Sequence, residues 1–202
     1  MKLLALLILH KDDDNKVKIL QDEYNLDSFG YFQRRGVQSL LAFSAKTITE
    51  RTALNTRQSV ETEENVNAIV HVNVRHNGLA SIAISDSEYT QRVAHTLLSK
   101  VMDDFTDTYR PALWAQMPEK TGKMASLGET LKKYQNPREA DPLMRLQKDL
   151  DDTKDILRTA LVNVLERGEK IDDLVERSDK LSFEAKLFYK TAKKTNQCCT
   201  LF

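Results

Sequence analysis

The last third of the chain carries its most regular hydrophobic pattern. Between Leu143 and Thr195, mostly apolar residues recur in alternating steps of three and four. A repeat of about 3.5 residues keeps one narrow seam against a partner, and over this length it predicts a coiled-coil helix about 80 Å long. An isolated helix cannot bury such a seam, so we expect the function of the chain to lie in what this helix packs against. The seam positions with large apolar side chains are Leu143, Leu146, Leu150, Leu157, Val164, Ile171, Leu174, Leu181 and Phe188.

The first part of the chain shows strand patterns instead. Residues 2–10 are apolar on both faces, which predicts a central strand of a sheet, and residues 17–24 predict a second strand. Residues 66–74 alternate between apolar and mostly polar positions, as a half-buried strand does. Asn77-Gly78 then predicts a hairpin with a type I′ turn leading into a strand over 79–84, because both residues tolerate positive φ.

Helical periodicity appears at three places between and after these strands. We expect helices over about 36–52 and 88–109, the second ended by Pro111, and a weaker helix between Pro118 and Pro137. Residues 53–65 are polar and read as a loop, with one further strand as the alternative. This order predicts an α+β domain with a largely antiparallel sheet and helices on both faces.

One aromatic residue does not fit the first helix. The apolar stripe of that helix consists of Val37, Leu40, Leu41, Ala45 and Ile48. Phe43 projects more than about 90° from the centre of this stripe, at about 100° per residue. Its ring is therefore packed against something other than the sheet, exposed, or placed at the edge of the core.

The heptad seam contains a charged residue, Arg167, followed by Gly168. Two arginines facing each other in a symmetric dimer would lack acceptors, whereas one arginine has five donors for amide or carboxylate oxygens of several partner helices. A glycine inside a helix costs about 1 kcal/mol relative to alanine. We therefore expect this helix to be only partly formed alone and to be completed in a bundle of several helices.

The composition limits the partners and points to the C-terminus. Charged residues make up 30% of the chain and balance to a net charge of zero, which argues against nucleic acid as a partner. No apolar run reaches the roughly 20 residues that a bilayer crossing needs. The two cysteines are adjacent, and Cys199-Thr200-Leu201-Phe202 matches a prenylation signal whose final Phe favours geranylgeranyl. Cys198 is then a natural site for a second, reversible acyl chain, because two chains give stable anchoring.

The run from Val164 to Leu181, with Glu166-Arg167-Gly168-Glu169 at its centre, resembles the SNARE motif of synaptobrevin-type R-SNAREs. The first part resembles a longin domain, and the ending Phe-Tyr-Lys-x-Ala-Lys-Lys-x-Asn-x-Cys-Cys is similar to that of the prenylated YKT-type longin R-SNAREs. The resemblance covers essentially the whole chain. It implies a longin (profilin-like) domain over 1–134 with a five-stranded antiparallel sheet flanked by helices, a linker over 135–142, a SNARE helix over 143–197 and a lipidation tail over 198–202.

The resemblance also implies a mechanism, in which Arg167 forms the ionic layer with glutamines of three Q-SNARE helices, syntaxin-type and related. The seam residues would be the core layers of a parallel four-helix bundle that draws a vesicle to its target membrane. The prenyl group on Cys199 and a palmitoyl group on Cys198 would anchor the chain to membrane lipids, with no other cofactor. In this family the longin domain folds back on its own SNARE motif and shields the lipid, and Phe43 would lie on the docking surface. The expected location is the cytosol and the cytoplasmic face of Golgi, vesicle and endosomal membranes.

Two other functions compete with this interpretation. An enzyme is disfavoured because we find no nucleophile paired with a base, no metal-ligand spacing among the scattered histidines, and no Gly-x-x-x-x-Gly-Lys-Ser/Thr loop of a small GTPase. A prenylated coiled-coil adaptor or tether that homodimerises remains the alternative, and binding to Q-SNAREs would distinguish the two.

Overall fold

The computed structural model describes residues 2–62, 68–136, 156–166 and 168–198. Within these ranges the strands are β1 (Leu3–Lys11), β2 (Val17–Tyr24), β3 (Thr56–Glu61), β4 (Ala68–Val74), β5 (Leu79–Asp86) and β6 (Leu157–Ala160). The helices are α1 (Arg34–Arg51), α2 (Gln91–Thr108), α3 (Pro111–Trp114), α4 (Ser126–Lys133), α5 (Leu161–Val164), α6 (Ile171–Arg177) and α7 (Phe183–Cys198).

All six strands join one sheet in the order β2-β1-β5-β4-β3-β6. The first five pair antiparallel, and β6 adds to the edge of β3 in parallel. The predicted α+β class, with five antiparallel strands flanked by helices and followed by helical structure, is confirmed. The sixth, parallel strand was not predicted, and it comes from the segment that carries the heptads.

The predicted central strand is β1, which pairs with β2 on one side and β5 on the other. Because side chains alternate along a strand, Leu7 and Leu9 face α1, whereas Leu6 and Ile8 face α2. Two apolar cores therefore lie on opposite faces of the sheet. The α2 face also holds α3 and α4, while the α1 face holds residues of α5, α6 and α7.

The predicted hairpin connects β4 and β5, but its turn differs from the type I′ expectation. The backbone N–H of Gly78 bonds to the carbonyl of Arg75 at 3.1 Å, and that of Arg75 bonds to Leu79 at 2.8 Å. Only Gly78 in this turn has positive φ, at 77°. A Cβ atom there would lie 2.2 Å from the carbonyl oxygen of Lys11, so both the backbone angle and the close approach require glycine.

The polar segment 53–65 supplies β3, the alternative to a loop. Its polar side chains find partners in the sheet: the Gln58 amide donates to the Thr52 hydroxyl at 2.7 Å, and Ser59 lies against two histidines. Hydropathy alone underrates such a strand, because buried polar residues are compatible with a sheet when each is hydrogen-bonded.

Two helix boundaries also differ from expectation. Helix α2 begins at Gln91, since residues 86–90 form a turn that bonds Asp86 to Lys2 and Tyr89 to Asp86. Pro111 opens the short helix α3 rather than ending α2, a position where its missing N–H is not needed. Trp114 of α3 is buried against Phe105 and closes the end of the α2 core.

The heptad segment is not one continuous helix in the described part of the chain. Residues 157–160 form β6, and three separate helices follow it. Gly168 adopts a φ of 87°, which no helix residue has, and so breaks the helix beside Arg167. The physical reason lies in the contacts of the segment: β6 pairs with β3, and the apolar side chains that follow are buried against the sheet and α1 by separate short helices.

Candidate docking surface for the heptad segment

The C-terminal segment packs across α1 and the adjacent sheet face, a region called here the docking surface. It buries its apolar side chains together with sheet residues such as Val70 and Ile84 and with Ile48 of α1. Burying a Leu, Ile or Val side chain contributes about 1.5–3 kcal/mol. The buried members from the segment are Leu161, Leu165, Ile171, Val175, Leu181, Ala185 and Tyr189.

Strand β6 docks on the backbone of β3. Gln58 pairs with Leu157 and Val60 with Thr159, and Arg158 forms an ion pair with Glu61 beside them. Leu157 remains 58% exposed, so its side chain contributes little to this contact. The interaction is strand addition, in which main-chain hydrogen bonds rather than side chains hold the segment.

Arg51, at the end of α1, binds the stretch of chain that connects α5 to α6. Its Nη2 donates to both carboxylate oxygens of Glu169, at 2.7 and 2.8 Å, and its Nε donates at 3.2 Å. Both side chains are about one-fifth exposed. Since Glu169 stands two positions after Arg167, this forked contact lies next to the predicted ionic layer.

Helix α7 lies against the first turn of α1. A Cβ atom on Gly36 would lie 3.2 Å from the carbonyl oxygen of Glu184 and 3.4 Å from the Cα of Ala185. The helices therefore approach backbone to backbone at this point. Nearby, the rings of Phe29 and Phe188 meet edge to face with centroids 6.1 Å apart.

Polar contacts join α6 to α7. Lys193 donates to Oδ2 of Asp172 at 2.5 Å and Tyr189 donates to Oδ1 at 2.6 Å. These hydrogen bonds, that from Lys193 foremost, lower the pKa of the Asp172 carboxyl. Lys190 pairs with Glu176 at 3.2 Å, and Lys186 donates to the Glu176 backbone carbonyl at 2.8 Å.

The predicted seam residues have different fates here. Ile171 and Leu181 are buried, Val164 and Leu174 pack partly buried against the same core, Phe188 meets Phe29, and Leu157 is exposed. Leu143, Leu146, Leu150, Arg167 and Cys199 lie outside the described residues, as do the side chain of Cys198 and most of the linker.

A second set of buried residues was missed by the heptad reasoning. The buried residues Leu161, Leu165, Val175 and Tyr189 each stand one position after a seam position, and the one before Leu161 is the small residue Ala160. The positions directly after seam residues give no continuous signal, because Arg158, Asp172 and Lys186 occupy equivalent places. A helix broken into short pieces can turn these four residues, as well as part of the seam, toward the docking surface.

Phe43 is half-buried and packs against the core on the α1 face. That core contains both sheet residues and heptad-segment residues. The full exposure allowed by the helical pattern is therefore excluded, and a docking role for Phe43 stays a proposal.

An apolar groove of about 500 Å³ runs between the start of α1 and α7. Beside it, Tyr31 and Phe32 are exposed and stack edge to face, and Phe183 is exposed on α7. The groove is open to solvent and close to the helix that ends at Cys198. Its lining residues are Phe32, Gln33, Gly36, Glu184, Leu187, Phe188, Thr191 and Ala192.

Two buried histidines lie on the opposite sheet face, below α2. The Ser59 hydroxyl is 2.8 Å from Nδ1 of His71 and 3.0 Å from Nε2 of His95, and Nε2 of His71 is 3.1 Å from the Ser85 hydroxyl. Burial lowers the pKa of His71 to about 3 and that of His95 to about 4. Among the described residues, no cluster of His, Cys, Asp or Glu is arranged to hold a metal ion.

None of the helices within the described ranges combines the length and the apolarity that crossing a bilayer requires.

Comparison with known proteins places both parts of the chain. Residues 26–131 match the longin family, described as a regulated-SNARE-like domain, and residues 142–200 match the synaptobrevin family. The chain is 43% identical over 201 residues to the synaptobrevin homolog ykt6 of Schizosaccharomyces pombe, with all of both chains covered. It is 40% identical over 184 residues to the synaptobrevin homolog YKT6 of Saccharomyces cerevisiae, covering 90% of each.

The synaptobrevin homolog YKT6 of Eremothecium gossypii is also 40% identical, over 203 residues and the full length of both chains. In this chain the longin match precedes the synaptobrevin match, and the family is one of SNAREs that act in vesicle fusion and are not enzymes. The chain therefore belongs to the ykt6-type synaptobrevin homologues, as an R-SNARE with an N-terminal longin domain.

Proposed function

We propose that the chain supplies the arginine-bearing helix of a parallel four-helix bundle whose other three helices come from Q-SNAREs. Arg167 would donate to glutamine oxygens of the three partners, since a guanidinium group presents five donors in a fixed fork. The seam residues from Leu143 to Phe188 would form the apolar layers above and below it. Truncating one large layer residue should cost about 2–5 kcal/mol of bundle stability.

We further infer that the longin domain holds the SNARE segment inactive before the partners bind. The observation that carries this is the burial of Ile171, Leu181 and Ala185 on the docking surface. Ile171 and Leu181 are large seam residues, and Ala185 fills the seam position between Leu181 and Phe188. These side chains cannot face the domain and the partner helices at once. Docking on the domain and zippering into a bundle are then mutually exclusive.

On the domain side, the contacts of Phe43, Gly36 and Arg51 are the proposed autoinhibitory features. Phe43 packs in the shared core, Gly36 admits the backbone of α7, and Arg51 holds Glu169. Because Glu169 lies beside Arg167, the Arg51 contact would keep the ionic layer away from partner helices.

The lipid tail would provide the membrane anchor, with a prenyl chain on Cys199 and an acyl chain on Cys198. The groove beside α7 is apolar and lies on the helix that leads to these cysteines. We infer that it shelters lipid while the segment is docked, which would keep the chain in the cytosol. Release would return the chain to the cytoplasmic face of Golgi, vesicle and endosomal membranes.

A substitution at Val175 tests autoinhibition separately from assembly. Val175 is 2% exposed on the docking surface, but it stands one position after the seam residue Leu174 and would lie at the flank of a bundle. Val175→Glu should therefore release the segment, speed assembly with purified Q-SNAREs about tenfold or more, and raise hydrogen exchange across 157–189. Phe43→Glu should act in the same direction from the domain side.

Val162→Glu is the matched control, because Val162 is 70% exposed and also lies off the seam. It should assemble at the wild-type rate, as measured by the appearance of SDS-resistant complex. Equal rates for all three proteins would refute autoinhibition while leaving the bundle intact. A stable homodimer that ignores Q-SNAREs would instead favour the adaptor function.

A further inference from the structure

The lysines of α7 form a basic stripe just before the cysteines, and acidic groups of α6 neutralise part of it. Asp172 binds Lys193 and Glu176 binds Lys190, while Lys186 is held by the Glu176 carbonyl. The side chain of Lys193 is only 28% exposed in this arrangement. In the docked segment these ammonium groups are therefore paired with groups of α6, although the side chain of Lys190 stays 60% exposed.

The same pairs cannot persist in a continuous helix. Asp172 and Lys193 are 21 residues apart, and Glu176 and Lys190 are 14 apart. At about 1.5 Å per residue these separations become about 31 and 21 Å. Both exceed the Debye length of about 8 Å at physiological salt, so the lysines lose their acidic partners completely when α6 and α7 straighten into one helix.

We propose that the α7 lysines bind anionic phospholipid, and that the α6 carboxylates mask them from the membrane while the segment is docked. This inference rests on the proposed docked and bundled states, and it adds a membrane partner that distinguishes between them. The lysines precede the lipidation cysteines in sequence, so an anchored chain brings them to the headgroup region. Each lysine held near an anionic surface raises the affinity of the chain for that surface by a factor on the order of five.

Reciprocity follows from linkage. If release of the segment strengthens binding to anionic lipid, then anionic lipid must favour release by the same factor. The exposed ion pairs are weak, so breaking them adds little to the free-energy cost of releasing the segment from the docking surface. A membrane rich in phosphatidylserine would thus bias the chain toward assembly, whereas a neutral membrane would not.

Two variants that break the same ion pairs from opposite sides test the proposal. Asp172→Asn/Glu176→Gln removes the mask, and Lys190→Gln/Lys193→Gln removes the ligands. The full unlipidated chain is sedimented with phosphatidylcholine vesicles, with or without phosphatidylserine. The variant without the two carboxylates should bind anionic vesicles about tenfold more tightly than wild type. The variant without the two lysines should bind them more weakly than wild type. Neither variant should bind neutral vesicles appreciably.

Asp173→Asn/Asp179→Asn is the control for bulk charge, since it makes the same change in net charge at two exposed acids of the same segment. A control that gains as much as the variant without the two carboxylates would overturn the masking, and so would two variants that shift in the same direction. Hydrogen exchange across 157–177 should quicken for wild type with anionic vesicles only, and exchange unaffected by either vesicle would overturn the linkage. Assembly with Q-SNAREs in the absence of vesicles reports separately on the proposed function.

Discussion

Gly168 would adopt a second backbone conformation if the docked segment joins the proposed bundle. In the docked segment its φ is 87°, and no described atom lies within 4 Å of where a Cβ atom would stand. A bundle helix instead requires a φ of about −63°. Glycine adopts both conformations at little steric cost. Any residue with a Cβ atom favours one of the two states, so this position tunes the balance between docking and assembly.

Gly168→Ala should shift that balance toward release by about 2 kcal/mol, or roughly 30-fold. About half comes from the strain of left-handed backbone in the docked state, and half from better helix propensity in the bundle. Hydrogen exchange across 157–177 and the rate of Q-SNARE assembly would both rise. Gly168→Asn tolerates positive φ and should shift the balance less, and an equal effect of the two would contradict the explanation.

The buried histidines predict an acid-sensitive longin domain. Burial holds the pKa values of His71 and His95 below that of an unfolded histidine, so the unfolded chain binds more protons between about pH 6.5 and pH 4. The contribution of the neutral buried histidines to folding stability is therefore complete above about pH 6.5, and it is lost as the pH falls from there toward about pH 4. From about pH 7 to about pH 5, each histidine should cost on the order of 2 kcal/mol.

Urea unfolding at the two pH values measures this loss. His95→Gln should remove about half of the pH dependence while keeping a polar side chain beside Ser59. An unchanged pH dependence in that variant would assign the acid sensitivity to other groups.

At the scale of elements, the contact between α1 and α7 depends on the absence of a side chain at Gly36. Gly36→Leu would push its side chain into the backbone at Glu184 and should weaken docking of α7 by about 1–3 kcal/mol, as overpacking does. Exchange across 183–194 should quicken while far-ultraviolet circular dichroism of the domain is retained. Gly128→Leu is the control, because its nearest neighbour is the movable Glu23 carboxylate at 3.6 Å.

The elements differ in how far sequence could predict them. Strands β1, β2, β4 and β5 and the two long helices follow from periodicity, because each buries its own apolar pattern. Strand β3 was ambiguous, since Gln58 and Ser59 are buried by hydrogen bonds that hydropathy does not register. In the heptad segment, Gly168 correctly indicated that the helix is only partly formed in the chain alone. Strand β6 and the other breaks could not be predicted, because they depend on contacts with β3 and α1 that lie far away in the sequence.

The docking surface likewise combines features that the sequence could predict with features that it could not. Spacing predicted the seam and the place of Arg167 in it, which stays a prediction, whereas Arg51 and Gly36 carry no local signal of their contacts. Each acts through a residue more than a hundred positions away, Glu169 and Glu184 respectively. Only the assembled fold brings these pairs together.

At the scale of the whole molecule, attachment to membranes should depend on the tail. Cys199→Ser would remove the site of the proposed prenyl chain. At most one lipid chain could then remain, on Cys198, and stable membrane binding in cells should be lost. Cys198→Ser should leave one chain and a weaker, reversible association. Fractionation with mass spectrometry of the C-terminal peptide measures both, and persistent membrane binding of the Cys199 variant would contradict lipid anchoring.

The parallel pairing of β6 with β3 has a consequence where copies of the chain lie close together. Once β6 leaves, β3 presents an open edge that accepts the same strand from another copy, which is the geometry of a domain swap. Tethering within one chain acts like a local concentration in the millimolar range, so the chain's own strand wins in dilute solution. If lipid anchoring gathers copies on a membrane, that advantage shrinks, and the charged side chains of Arg57 and Glu61 on this edge strand would then oppose pairing between copies.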